Sequence, residues 1–316
     1  MEEVIKSYKG FEKDMTCRGF RYEEGKEYEE DKAKVCDAGF HACEYPLDCF
    51  KYYVPSTSVY HEVEQSGKLS KSSDDSKVAA TKIKIGARIG IPGLVQAAIE
   101  YTTERAKQTE DTHNTGYRGA SSNTGDYGAS SNTGDYGASS NTGNYGASSN
   151  TGNYGASSNT GDYGASSNTG NRGASSNTGN RGASSNTGNR GASSNTGYRG
   201  ASSNTGYRGA SSNTGDYGAS SNTGNCGASS NTGYRGTCEA NHPNSVAAAW
   251  GPESKAKGVI GATLVFAEWY RLSDKYWKED AWEFRGSMMV RVDGKNIKED
   301  TWYWMKDGKI VEAKDE

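Results

Sequence analysis

From Asn114 the tripeptide Asn-Thr-Gly returns every nine residues without a slip, fourteen times, the last copy beginning at Asn231. The unit is Asn-Thr-Gly-x-x-Gly-Ala-Ser-Ser. Its two glycines are kept in every copy and make up 28 of the chain's 42. Such a tract is either a stack of equivalent turns or a flexible low-complexity tether. Composition favours the tether, because Gly, Ser, Asn and Thr bury too little apolar surface to offset chain entropy. Register favours the stack. A tether has no need of it, and Tyr or Arg holds one fixed place in the unit. Ala-Ser-Ser-Asn-Thr also alternates with the two-residue period of a strand, between Gly-x-x-Gly corners. The expected fold is mainly β, built on a central β-solenoid.

Nine residues are too few to encircle an interior, so two units per coil are expected. Residues 114–236 then give about seven coils, a rod of roughly 33 Å at about 4.8 Å per coil. The alternation sets Ala, the second Ser and Thr on one side, the first Ser and Asn on the other. The expectation places Ala, the second Ser and Thr inside. Stability must then come mainly from backbone ladders and ladders of Asn, Ser and Thr, each bond contributing about 1 kcal/mol net. The ends of such a stack need caps.

Apolar residues make up 32% of the whole chain. The deficit is local: residues 114–236 hold 24 apolar residues in 123, against about 40% in the flanks. Three regions follow: an α+β N-terminal domain over 1–113 ending in a capping helix, the solenoid over 114–236, and degenerate last coils with a β-hairpin cap over 237–316. Short strands are expected at 5–11, 19–22, 59–64 and 77–85, and a short helix after Pro46. A longer amphipathic helix after Pro92 leads into the first repeat as a plug for the rod's end. In the C-terminal region 259–267 and 284–292 read as strands, with turns at Asp293-Gly294 and Asp307-Gly308.

The overall balance of 36 basic and 39 acidic residues demands no nucleic acid. The N-terminus is charged from its second residue, unlike a secretory signal, and no apolar stretch approaches the roughly 20 residues of a membrane span. The six cysteines are unevenly spread, which does not read as a secreted disulfide framework. A soluble, reducing compartment is expected: the cytoplasm, or the host cell's cytoplasm if the chain is phage-encoded.

Only the variable pair of the unit can carry chemistry along the rod. Its second member is Tyr at 127, 136, 145, 154, 163 and 217, Arg at 118, 172, 181, 190, 199, 208 and 235, and Cys at 226. Two units per coil would gather these into two columns, one on each edge. Tyr127, Tyr136, Tyr145, Tyr154 and Tyr163, with Arg172, Arg181, Arg190, Arg199 and Arg208, are the candidate binding residues, since Tyr and Arg dominate binding hot spots. The bland alternative is that the ladders only stiffen the edge. A protein partner is expected, with nucleic acid disfavoured; an edge of stacked Tyr could also pair with its twin in a homodimer.

Several resemblances qualify this picture. Calcium-binding nonapeptide rolls have an Asp in each unit and a large inward aliphatic residue, both missing here, so no cofactor or calcium is expected. Ice-nucleation repeats have an outer double-Thr face that this alternation does not provide. The segment 245–258 is similar to a degenerate coil of trimeric adhesin heads. More specifically, YKGF, CRGFRYEEGKEY and VCDAGFHACEYPLDCFKYY (residues 8–53) resemble the start of a family of uncharacterised bacterial and phage proteins. ESKAKGVIGATLVFAEW and VRVDGKNIKEDTWYWMKDGKIVE resemble that family's C-terminal end. The resemblance implies a domain of unknown function joined to Asn-Thr-Gly repeats, and no catalytic residues.

Two further chemistries compete with this reading. Cys36, His41, Cys43 and Cys49 cluster, but as C-x4-H-x-C-x5-C rather than the tight knuckles zinc prefers; core packing competes with metal binding. Arg18 and Glu64 resemble the early Arg and late Glu of ADP-ribosyltransferases. This gives an alternative enzyme head with the rod as spacer. The candidate middle element, Ser56 to Ser58, lies too close to Glu62 and Glu64 for separate strands across a cleft.

Overall fold

A computed structural model describes residues 3–73, 75–106, 112–273 and 281–313. The repeats form a β-solenoid, which continues beyond them to give about nine turns over residues 113–266. Each Ala-Ser-Ser-Asn stretch is one four-residue parallel strand, and consecutive strands alternate between two sheets. Residues 18 apart therefore stack in register, as Ala147 on Ala165 and Asn150 on Asn168. Two units make one coil, as the length of the unit requires.

The faces are opposite to those expected. The first Ser and the Asn point inward and the second Ser, Ala and Thr outward; Ser148, Asn150, Ser166 and Asn168 are at most 1% exposed. Hydrogen bonding explains the choice. Each inner Ser hydroxyl donates across the rod to a carbonyl of the opposite sheet, as Ser148 Oγ to Ser158 O at 2.9 Å. Most inner Asn side chains work twice, as where Asn168 Nδ2 donates to Gly155 O at 2.7 Å and its Oδ1 accepts the Gly170 N–H at 3.1 Å; Asn159 and Asn177 donate in the same way, but their Oδ1 atoms accept no hydrogen bond. Such an amide holds its own corner and the preceding one, so most polar groups in the interior are paired. Ala could supply neither bond.

Both glycines are required by close approach. A Cβ on Gly170 would sit 1.9 Å from Gly152 O in the coil before, and one on Gly173 would sit 2.2 Å from Asn168 Oδ1. The interior is too narrow for either. The residue before the second glycine, Tyr, Arg or Cys, takes a left-handed conformation at every corner, with φ between 53° and 59°. That costs about 1 kcal/mol in a non-glycine residue. A backbone bond between coils offsets it, as Tyr127 N–H to Asn144 O at 2.8 Å.

The N-terminal domain is a small barrel-like sheet. Strands β1 (Ile5–Glu12), β2 (Phe40–Cys43), β3 (Ser58–Lys71) and β4 (Lys77–Ile89) pair in the order β4-β2-β1-β3, and β3 pairs back onto β4. Helix α1 (Cys49–Tyr52) follows a one-turn 3-10 segment opened by Pro46. Helix α2 (Ile91–Ala106) does not plug the rod's end as expected. It lies along the side of one sheet, from the strand at Ala129–Asn132 to that at Ala201–Asn204. Leu94, Val95, Ala98 and Ile99 pack on Ala147, Ala165, Ala183 and Ala201. Outward Ala rows make a smooth apolar strip, and a helix face fits such a strip better than it fits an open coil end.

At the C-terminal end the coils lose their repeat sequence but keep the path, at Thr237–Ala240, Val246–Ala249 and Lys255–Gly258. The stretch 259–267, read as one strand, is a turn followed by β5 (Thr263–Arg271). β5 pairs with β6 (Trp282–Arg291), and β7 (Tyr303–Lys306) with β8 (Lys309–Glu312) through the Asp307-Gly308 turn. Asp293-Gly294 forms a local loop in which Asp293 Oδ1 accepts three backbone N–H groups.

Replacing Asn168 by Ala should lower stability by about 3 kcal/mol, since it strands buried backbone groups at two corners. Thr169→Ala, one residue on and exposed, should cost less than about 0.5 kcal/mol. Urea denaturation of the two variants checks the inverted facing directly; the expected interior would reverse the order.

Candidate functional site

The corner side chains form two columns one coil apart in step. One column runs Tyr127, Tyr145, Tyr163, Arg181, Arg199, Tyr217 and Arg235; the other runs Arg118, Tyr136, Tyr154, Arg172, Arg190, Arg208 and Cys226. Left-handed corners point these side chains away from the rod, so rings stack on rings. Tyr145 and Tyr163 lie 4.9 Å apart and within 2° of parallel, Tyr136 and Tyr154 4.7 Å and within 4°. Where Tyr gives way to Arg, the guanidinium sits on the last ring: Arg181 over Tyr163 at 5.3 Å, Arg172 over Tyr154 at 5.2 Å.

The N-terminal domain covers the first column and leaves the second open. Tyr45, fully buried, meets Tyr145 ring to ring at 5.2 Å, and its hydroxyl donates to Tyr163 O. Thr102 Oγ1 donates to Tyr145 O at 3.1 Å, and Arg199 Nη1 to Lys51 O at 2.9 Å. Burial pushes the Tyr45 and Tyr145 phenols well above their ordinary range. The ten candidate binding residues therefore split. Tyr145, Tyr163 and Arg199 hold the domain to the rod, Arg181 donates to the Tyr163 hydroxyl within the column, and Tyr127 stands exposed at its start. Tyr136, Tyr154, Arg172, Arg190 and Arg208 face solvent.

Among the described residues no carboxylate forms an ion pair with Arg172, Arg190 or Arg208. The first member of the variable pair also matters, although the sequence analysis assigns chemistry only to the second. Asp or Asn there caps the next coil, as Asp135 Oδ1 accepts the Asn153 N–H at 2.7 Å. Tyr there is followed by Arg in all four cases, and the ring lies beneath its neighbour's guanidinium, as Tyr207 under Arg208 at 5.1 Å. The invariable Tyr-Arg coupling was the sequence signal for this second layer. The open edge thus carries, before Cys226, a run of three arginines with no ion pair among the described residues; Arg172 donates to the Tyr154 hydroxyl, and Arg208 lies over the exposed Tyr207 ring.

The domain also contains a cavity of about 930 Å3. It opens because β1 and β2 share a single register pair, Tyr8 with Cys43. Beyond that pair the buried Lys9 spans the gap, its Nζ donating to His41 O at 2.8 Å. Arg18, Cys36, His41, Cys43 and Cys49 line this cavity; Glu64 does not. Glu64 faces solvent and pairs with Lys84 at 3.5 Å, so Arg18 and Glu64 do not share a site. The four metal candidates are already engaged otherwise. Cys36 N–H donates to His41 Nε2 at 3.0 Å, Lys77 Nζ to Cys36 Sγ at 3.2 Å, and the Cys49 thiol to Tyr8 O at 3.1 Å. The bond to Cys49, with burial, pushes the Cys43 thiol up. Among the described residues no three His, Cys, Asp or Glu side chains converge as metal ligands, and no helix is long and apolar enough to cross a membrane.

Residues 5–97 match the family model described as a domain of unknown function, DUF7666. The match covers β1 to the start of α2, and so takes in the cavity and Tyr45. No curated protein and no solved structure matches the chain.

Two outcomes test this geometry. Tyr163→Ser should loosen the DUF7666 region from the rod and cost about 3 kcal/mol, whereas Tyr154→Ser, the same change on the open edge, should cost about 1 kcal/mol or less. Hydrogen exchange at α2 would read the difference. Burial lowers the His41 pKa below its ordinary value. The unfolded chain then takes up the proton first as pH falls, and stability drops from about pH 6.5 downward until the folded value is passed. Chemical denaturation at about pH 7.5 and about pH 5.5 should show wild type losing more stability than His41→Gln.

Proposed function

We propose that the protein is a non-enzymatic binding protein whose rod offers its open Tyr/Arg edge to a protein partner bearing acidic side chains on an extended segment. The observation that carries this is the run Arg172, Arg190 and Arg208. It places three guanidiniums about 4.8 Å apart, none paired with a carboxylate among the described residues. Arg is suited to bidentate capture of carboxylates, and the adjacent tyrosines Tyr136, Tyr154 and Tyr207 add rigid, exposed contact area. A free row of like charge is otherwise unfavourable for the rod, and an acidic partner relieves that repulsion. The first column has the same residue types but is taken up by the chain's own domain, which supports the idea that these ladders are docking surfaces. Here the head serves to fix the rod's orientation, and the rod to set the spacing.

The test is a pull-down from the native host followed by titration of the captured partner against two proteins: wild type and Arg172→Ser/Arg190→Ser/Arg208→Ser. The variant should keep its far-ultraviolet dichroism and lose affinity by about 100-fold or more, from three contacts of roughly 1 kcal/mol each. Unchanged affinity would refute the open edge as the binding surface. Tight, salt-sensitive binding of a single-stranded oligonucleotide instead would move the reading to nucleic acid.

A further inference from the structure

We propose that the cavity of the N-terminal domain binds a small organic anion, an aromatic ring carrying a carboxylate or phosphate group, with Lys9 as its cationic partner. The inference does not rest on the open Tyr/Arg edge. The alternation of β1 places Lys9 on the same face as Phe11, which lies in the domain's core with Tyr22 and Phe40. Lys9 is only 5% exposed. An ammonium so placed is costly unless it is paired. Its Nζ donates to one acceptor, His41 O at 2.8 Å, and lies over the Phe11 and Tyr22 rings at 5.4 and 5.6 Å. Among the described residues no carboxylate pairs with it. An ammonium has three N–H donors, so this one keeps donors to offer a guest.

The surroundings of this charge fit an aromatic anion. Phe20, Tyr22, Tyr28 and Phe40 line the cavity with Lys9. Phe20 meets Tyr22 at 4.8 Å and Tyr28 at 5.5 Å, yet is half exposed, so it keeps apolar surface for a ring. A second cation, Arg18, lines the cavity from the tip of the hairpin that pairs Thr16–Cys17 with Phe20–Arg21. Arg18 and Gly19 are both left-handed there, at φ 52° and 77°, as a tight two-residue turn requires. Asn or Gly suits the first place better, so Arg is held there at a backbone cost of about 1 kcal/mol. Lys77, a third cation, donates to the Tyr52 hydroxyl at 2.9 Å and to Cys36 Sγ at 3.2 Å. Burial and then Lys9 lower the His41 pKa, and Arg18 and Lys77 lower it further, so the field at that ring is positive. The lining carboxylates, Glu12, Glu29, Glu30 and Asp37, are all exposed. Three of them are engaged: Glu12 accepts the Thr16 hydroxyl, Glu29 pairs with Lys82 and Asp37 with Lys34. A cationic guest, which aromatic rings also attract, would meet the like charge of Lys9. At about 930 Å3 the cavity lies within the range of small-molecule sites and admits a nucleoside monophosphate or a bicyclic aromatic acid.

Isothermal titration calorimetry of the full chain tests this with two anionic probes, adenosine monophosphate and 2-naphthoate, each beside its neutral counterpart, adenosine and 2-naphthalenemethanol. At least one anion should bind with Kd at or below about 1 mM and about tenfold or more tighter than its counterpart. Which of the two binds tells whether phosphate or carboxylate is the group recognised. Lys9→Met, which keeps the stem and removes the charge, should weaken the anion by about tenfold or more. Arg18→Gln, on the exposed hairpin, should weaken it by about threefold. Arg172→Ser/Arg190→Ser/Arg208→Ser should bind the probe as wild type does, which separates this site from the open edge. Far-ultraviolet dichroism confirms that each variant is folded; where Lys9→Met is not, Arg18→Gln decides alone. The proposal is overturned if neither anion binds, or if a neutral counterpart binds as tightly as its anion. It is equally overturned if folded Lys9→Met binds like wild type, or if the triple arginine variant loses the probe.

Discussion

The rod stands on the inward Asn side chain. Most domains exclude water with apolar groups, and a polar atom in the interior is costly unless paired. Here the interior is made of Ser and Asn, and most of the cost is avoided because nearly every coil repeats the same bonds in the same places. The amide of Asn168 spans two corners, through Gly155 O and the Gly170 N–H. The hydroxyl of Ser166 ties one sheet to the other through Ser176 O. The two glycines follow from this arrangement, because each would drive a Cβ into the amide or into the coil below. A coil so built needs only its neighbours, so units can be added without redesigning a core.

Self-sufficient coils would give a rod with two equivalent edges and two equivalent faces. The N-terminal domain removes that equivalence. Ala147, Ala165, Ala183 and Ala201 are at most 1% exposed beneath α2, while Ala156, Ala174, Ala192 and Ala210 on the opposite sheet are exposed. Tyr145 and Tyr163 are anchors; Tyr136 and Tyr154, in the same sequence, are surface. Which corner side chains are buried and which are exposed is therefore decided by the edge the domain occupies and not by the unit's own composition. This is also why the cavity and the ladder are separate features: Tyr45 and α2 face the rod, whereas Arg18 and His41 line a gap opened by the short pairing of β1 with β2.

Much of this was legible in the residues. An unbroken nine-residue period with fixed glycines can stack in only one register, so the solenoid, its two units per coil and its paired columns followed from Asn114–Gly236 alone. The facing of the strands did not follow. A two-residue alternation has two phases, and apolar preference selects Ala for the interior. The deciding factor is that corners leave backbone groups unpaired, which Asn can satisfy and Ala cannot. The position of α2 was hidden for the same reason, because an apolar strip on the rod's side exists only if the Ala row points outward. The division of the ten Tyr and Arg residues between a covered and an open edge rests on contacts such as Tyr45 with Tyr145. These join residues a hundred positions apart and leave no local trace.

The end of the rod shows what happens when the Asn ladder must stop. A last coil has a neighbour on one side only, so an inward amide there would lack a partner corner. Along the final coils the inner positions change in order: Cys238 takes the place of Ser and still reaches Ala248 O at 3.1 Å. Ala240, Ala247, Ala249 and Ala256 then replace the polar pair, and Leu264 and Phe266 complete the series. The hydrogen-bonded interior is thereby exchanged, side chain by side chain, for an apolar one that Tyr303 and Val292 of the closing strands can cover. Apolar closure needs no matching donor or acceptor. It tolerates the change from parallel coils to the antiparallel β5–β6 and β7–β8 pairs, which a ladder of fixed amides could not follow. The same exchange brings large apolar side chains to the rod's tip, and there the outward positions become aromatic as well, at Trp250, Trp269 and Phe284.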